Sequence, residues 1–205
     1  MDPSRPLCEP CDPPLRGWDR AAHVRYFLGL LGGLGHEYTG VETQRLSVVY
    51  FCVVGLDLLR ALDELGDARR AEIVEFVYRM QVALPEDGGG VDDDAPGAPW
   101  RRQGFRGGTS LGAPFAGPAA PCNAYDEGHL AMTYTALATL VTLGDDLGRV
   151  ARAPTVRALA ALQRPDGSFA GSAEGCECDM RFVYCACAVS ALLGDWRGVD
   201  EAGVR

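Results

Sequence analysis

The chain has 205 residues, 47% of them hydrophobic, enough to enclose the core of one ordinary domain and too many for a disordered polymer. Its net charge of −9, with arginine and no lysine as the strong cation, argues against nucleic acid or anionic lipid as main partners, since both need clustered positive charge. No apolar run approaches the ~20 residues of a bilayer span, and the acidic, proline-bearing start Met1–Pro6 lacks the charged and apolar regions of a secretory signal. The expectation is a cytoplasmic protein whose eight cysteines stay reduced.

Residues 1–18 carry Pro3, Pro6, Pro10, Pro13 and Pro14 and read as a flexible leader, so the folded domain is expected over 19–205. Asp19 is a candidate N-cap for a first helix, in which Ala22, Tyr26, Phe27, Leu30, Leu31 and Leu34 recur at helical spacing. A second helix is predicted from about Val41 to Leu62. Its apolar residues surround almost the whole circumference, as in a helix buried on most faces. A third, from Ala68 to about Leu84, is amphipathic, with Ile73, Phe76, Val77 and Met80 on one face. The segment 85–122 exceeds an ordinary connection and reads as an insertion, with Gly88–Gly90 and Asp92–Asp94 near its start. The three aspartates read as a solvated charge cluster, not as a metal site.

Three further helices are expected at about Glu127–Leu143, Thr155–Gln163 and Asp179–Leu193, and no segment alternates with period two. The fold class is therefore all-α, with buried helices alternating with amphipathic ones as inner and outer layers. Gln81 followed by Gln103-Gly104-Phe105-Arg106-Gly107, and Gln163 followed by Phe169, punctuate the ends of two outer helices in a related way. An imperfect helix-pair repeat of this kind is the pattern of α/α solenoids and toroids. Cys176, Cys178, Cys185 and Cys187 suggest a zinc set at first sight. The spacing is unlike paired C-x-x-C knuckles, and Cys185 and Cys187 point away from each other on a helix, so ordinary buried or loop thiols are expected.

Taken in order, Glu42–Leu46, Gln103–Gly107, Tyr125–Thr135, Leu143–Leu147, Gln163–Phe169 and Asp179–Ala186 resemble the β subunits of protein prenyltransferases, most of all those of the type I geranylgeranyl enzymes. The resemblance implies an α/α toroid, represented here by an incomplete half of about six helices, with a central apolar funnel that holds an isoprenoid diphosphate against a peptide. It also implies a zinc cofactor, a dependence on magnesium that stays open, an α subunit partner, geranylgeranyl diphosphate as donor, and C-terminal tails of small GTPase-type proteins as acceptors. The reaction implied is thioether formation, in which a zinc-bound target thiolate attacks the first isoprenoid carbon and diphosphate leaves.

By that resemblance Ser47, Phe51, Met132, Tyr134 and Arg181 line the isoprenoid site. Ser47, His129, Ala131 and Phe182 read the last residue of the target tail, and the small Ser47 leaves room for a fourth isoprene unit. Arg181 would lend its aliphatic stem to the funnel, with Asp179 as its partner or as a helix cap. Without the resemblance, Phe51, Met132, Tyr134 and Phe182 read as ordinary core, and His129 as a cap. Trp100, Arg101 and Arg102 read as surface loop.

The family's zinc ligands (Asp, Cys and His) and its diphosphate-binding residues lie in the half of the subunit that follows, and none of those motifs occurs here. No catalytic residue and no metal ligand is therefore expected in this chain, and the segment Trp196–Gly203 reads as the beginning of a further element. The chain is expected to be the N-terminal portion of such a subunit, from an incomplete gene record or a truncated isoform. Alone it is expected to be inactive and, with its inner helices facing no opposite wall, to aggregate or need a partner. The alternatives are a non-catalytic isoform that binds the α subunit or peptide tails, and the β subunit of a protein farnesyltransferase or Rab geranylgeranyltransferase. A terpene-cyclase-type toroid would need an acidic catalytic motif that these residues lack.

Overall fold

The computed structural model describes residues 18–82, 98–109, 126–173, 175, 177–200 and 202. The proposed leader up to Gly17, the Gly88–Gly90 and Asp92–Asp94 clusters, and Cys176 lie outside the described residues.

Helix α1 (Arg20–Gly32) begins at Asp19, whose carboxylate accepts from the Ala22 N–H at 3.0 Å, as expected. Helix α2 (Arg45–Leu58) follows a 3-10 segment over His36–Gln44 and is shorter than predicted at both ends. The chain leaves the helix at Arg60, which takes a left-handed φ of 51°. Helix α3 (Gly66–Arg79) gives way to strand β1 (Gln81–Val82), which pairs antiparallel with β2 (Gly104–Phe105). Helix α4 spans Leu130–Thr142, α5 spans Arg152–Leu162 and α6 spans Met180–Leu193. Trp100, expected in a surface loop, is half-buried, with the Arg101 and Arg157 guanidinium groups 4.6 and 4.0 Å from its ring centre.

Among the described residues, six α-helices make two layers. Helices α2, α4 and α6 pack side by side as an inner row, and α1, α3 and α5 pack against α2, α4 and α6 respectively. The shared core is built from Leu46, Val53 and Leu56 of α2, Ala136, Leu137 and Leu140 of α4, and Ala186, Val189 and Leu193 of α6. Gly55 lets α1 approach α2, because a Cβ there would fall 2.6 Å from the Phe27 ring. Phe51 and Leu58 of α2 are 64% and 78% exposed, so that helix is less enclosed than its composition suggests. With Val141, Met180 and Tyr184 they leave apolar side chains exposed on all three inner helices.

The repeated punctuation has a structural meaning. The Gln81 side chain donates to the Arg149 carbonyl (3.2 Å) and accepts from the Ala151 N–H (2.8 Å), and Gln163 makes the same pair of bonds with the Asp200 backbone (3.0 and 2.7 Å). Each glutamine thus ties an outer helix's end to the turn that leaves the next inner helix. Gln81 pairs with Phe105 and Gln163 with Phe169, and both phenylalanines are fully buried.

The inner helices also end alike. An N–H bonds five residues back at Ala61 to Leu56, at Asp145 to Leu140 and at Asp195 to Ser190. The residue before each donor has positive φ, and it is Gly144 or Gly194 in two turns but Arg60 in the third. A left-handed conformation costs a non-glycine residue about 1–2 kcal/mol. Arg60→Gly is expected to raise stability by up to about 1 kcal/mol, since glycine's larger unfolded-state entropy offsets part of the relief. Equilibrium denaturation with urea checks this, and a variant less stable than the parent would contradict it.

Candidate functional site

The N-terminal ends of the three inner helices converge on a cavity of about 540 Å³. Its wall is assembled from Thr43, Gln44 and Ser47 at the start of α2, residues 126–129 with Ala131 and Met132 at the start of α4, and Ser172, Glu177, Arg181 and Phe182 at the start of α6, with residues 106–108 between them.

Backbone geometry fixes these starts. The first turn of α2 is capped from a distance, the Leu46 N–H donating to the Gly107 carbonyl at 2.9 Å. That approach demands glycine, because a Cβ at Gly107 or Gly108 would collide with the carbonyl oxygen of Thr43 or Glu42. The α4 entry is pinned by Gly128 N–H to Arg102 O (2.8 Å), His129 N–H to Phe105 O (2.9 Å) and Leu130 N–H to Gly171 O (2.7 Å).

An ion pair locks the same loops together. Arg106 Nη1 donates to both carboxylate oxygens of Asp126 at 2.7 Å, its Nη2 donates to the Arg79 carbonyl at 3.3 Å, and the two side chains are only 11% and 7% exposed. Sequence reasoning did not single out either residue. The available signal was an arginine set between the glycines of Gln103–Gly108, where a buried charge needs a partner.

Six of the eight expected site residues meet at this cavity: Ser47, His129, Ala131, Met132, Arg181 and Phe182. Ser47 Oγ donates to Met132 Sδ at 3.4 Å and so joins α2 to α4. His129 is the N-cap of α4. Its Nδ1 accepts from the Ala131 N–H at 3.2 Å, and its ring meets the Phe182 ring edge-on at 5.6 Å. Burial holds the imidazole below the usual histidine range, against smaller upward pulls from Glu127 and Glu177.

The Arg181 side chain is 69% exposed and bonded to Asp179 (2.6 Å) and Glu177 (2.9 Å). Asp179 fills both roles weighed for it, since its carboxylate also accepts from the Arg181 N–H and caps α6. Hydrogen bonding to Arg181 holds the Asp179 carboxyl below the usual carboxylate range.

Phe51 and Tyr134 are not on the lining. Tyr134 is the middle of a hydroxyl chain that crosses the inner row, 2.9 Å from Tyr50 and 3.2 Å from Tyr184, while Phe51 lies beside Tyr50 on the exposed face. Burial, then these hydrogen bonds, push the Tyr134 phenol well above the usual range, so it acts as a neutral hydroxyl.

The residues described do not fit a zinc site. No three His, Cys, Asp or Glu among them are grouped to hold a metal. Cys185 is buried, which pushes its thiol up to about 11, away from the thiolate that zinc needs, and Cys178 donates toward Ser168 Oγ and the Phe169 carbonyl.

Two layers of alternating helices around a cavity at the inner helices' ends define an α/α toroid architecture. The prenyltransferase alpha-alpha toroid domain matches residues 18–205, and the chain belongs to that family. It is 32% identical over 189 residues to a geranylgeranyl transferase type-1 subunit beta of Dictyostelium discoideum, covering 87% of this chain and 50% of the relative. With the subunit of that name from Arabidopsis thaliana it shares 29% over 192 residues, covering 94% and 48%. Candida albicans protein geranylgeranyltransferase-I complexed with GGPP has a similar fold, with a TM-score of 0.67 at 18% identity over 90% of this chain and 49% of that one. The chain spans about half the length of the curated relatives it matches.

Two outcomes follow from this geometry. Asp126→Asn is expected to destabilise the protein by roughly 3–5 kcal/mol, because it strands a buried guanidinium; a loss below about 1 kcal/mol in denaturant titration would show the pair to be solvated. His129 has a folded pKa below its unfolded value near 6.5. Above that pH both states are neutral. As pH falls below it, the unfolded chain takes up a proton that the folded one resists, so stability declines. His129→Gln is expected to flatten that decline, as measured by melting temperature from pH 7.5 to 5; parallel curves would contradict it.

Proposed function

We propose that this chain is part of the β subunit of a type I protein geranylgeranyltransferase, which transfers a geranylgeranyl group from its diphosphate to a cysteine near the C-terminus of small GTPase-type targets. The reading rests on one observation above the others, the meeting of Ser47, Met132, His129, Ala131, Arg181 and Phe182 from three helices in one cavity. Names of the curated relatives point the same way.

In this reading Ser47 leaves the α2 side of the site shallowly filled, which accommodates a longer donor than a large aromatic there would. Met132 supplies a soft apolar surface. Arg181, anchored by Asp179 and Glu177, offers its stem to the chain of the donor. His129, neutral at physiological pH with its Nδ1 committed to the helix cap, forms with Ala131 and Phe182 the pocket for the last residue of the tail. The exposed apolar residues Phe51 and Tyr184 continue the surface away from the cavity. The subunit would work as a cytoplasmic heterodimer with an α subunit, and the zinc that supports thiol transfer would be held by residues other than those described.

The test is transfer from labelled geranylgeranyl diphosphate to a cysteine-bearing tail peptide by the natural subunit assembled with a prenyltransferase α subunit. Transfer is expected, and Ser47→Trp should shift kcat/KM toward farnesyl diphosphate by at least about tenfold, roughly the effect of closing space for one or two methylenes. Capture of the α subunit and tail peptide without transfer would instead establish a non-catalytic binding protein. Farnesyl transfer by the parent would assign it to the shorter donor.

A further inference from the structure

Behind His129 lies a second cavity, of about 10 Å³, lined by Gln103, Gly128, His129, Thr133 and Thr155 and otherwise by apolar side chains. A space of this size admits a single water. Thr155, in the first turns of α5, is 3% exposed, yet its Oγ1 has no hydrogen-bond partner among the described residues.

A helical threonine often returns its hydroxyl to the carbonyl four residues back. Here that carbonyl, on Ala151, receives the Thr155 N–H at 3.0 Å and not the hydroxyl. Neighbouring groups are committed elsewhere: Thr133 Oγ1 accepts from the Phe105 N–H and donates to the His129 carbonyl, and the Gly128 N–H donates to Arg102. A hydroxyl buried without a partner costs about 1–3 kcal/mol, and such groups are nearly always satisfied in folded proteins.

We propose that one internal water occupies this cavity and bridges Thr155 of α5 to the polar segment around His129 that caps α4. The water makes an outer helix part of the support for the cavity's histidine, because His129 is the wall common to both spaces. This assignment rests on local geometry alone and is independent of the transferase reading.

The sign of a stability change tests it. If the hydroxyl binds water, Thr155→Val, which keeps shape and removes the polar atom, should lower the melting temperature of the full chain in its native assembly by about 2–4 °C. Thr155→Ser should stay nearer the parent. If the hydroxyl is truly orphaned, valine removes a desolvated group and the variant melts at the same temperature or higher, which overturns the proposal. A crystal structure of the parent protein should show solvent density within hydrogen-bond distance of Thr155 Oγ1. A dry cavity, or a threonine rotated onto the Ala151 carbonyl, would overturn it equally.

Discussion

The buried pairing of Arg106 with Asp126 is the constraint on which the site depends. Helix packing alone sets the distances between α2, α4 and α6, but it leaves the segments entering them free to move. The guanidinium takes Asp126 and the Arg79 carbonyl together, and so fastens the α4 entry to the loop that runs past the start of α2. From there the backbone does the rest: Gly107 caps α2 and Phe105 receives the His129 N–H. Taking two charges out of water is costly, so a pair of this kind gains more in defining one geometry than in net stability.

Much of the architecture was legible because burial writes itself into helix composition. The apolar runs of α4 and α6, against the charged faces of α3, already imply two layers. The repeated glutamine and phenylalanine gave the period. Helix ends were less legible for a physical reason. The start of α2 is set by a carbonyl about sixty residues away in sequence, at Gly107, and its end by a positive φ at Arg60, a residue type that carries no such signal. The strand pair at Gln81 and Phe105 is too short to leave an alternating pattern.

The site divides in the same way. Ser47, His129, Ala131, Met132 and Phe182 lie in the first turns of their helices, where a motif read along the chain marks one level of the fold. Phe51 is one turn beyond Ser47 and Tyr134 two residues beyond Met132, which moves both off the cavity, Phe51 onto the exposed face and Tyr134 into the tyrosine chain. Periodicity identifies a face but says little about depth along the axis. Asp126 escaped notice because its partner is twenty residues away and its own segment reads simply as a helix entry.

The two ways of joining the helices have different consequences for function. Glutamine side chains bind outer helix ends to the turns after inner helices through paired backbone bonds, and the same bonds recur whatever the neighbouring side chains are. These contacts need nothing from the inner face. The inner helices are then free to carry residues that would be poor choices for stability alone: a serine against a methionine, a half-buried histidine, a chain of tyrosines and an exposed phenylalanine. A scaffold stapled from outside leaves the side chains at the starts of its inner helices free to shape a cavity, because the layers do not rely on them to stay together.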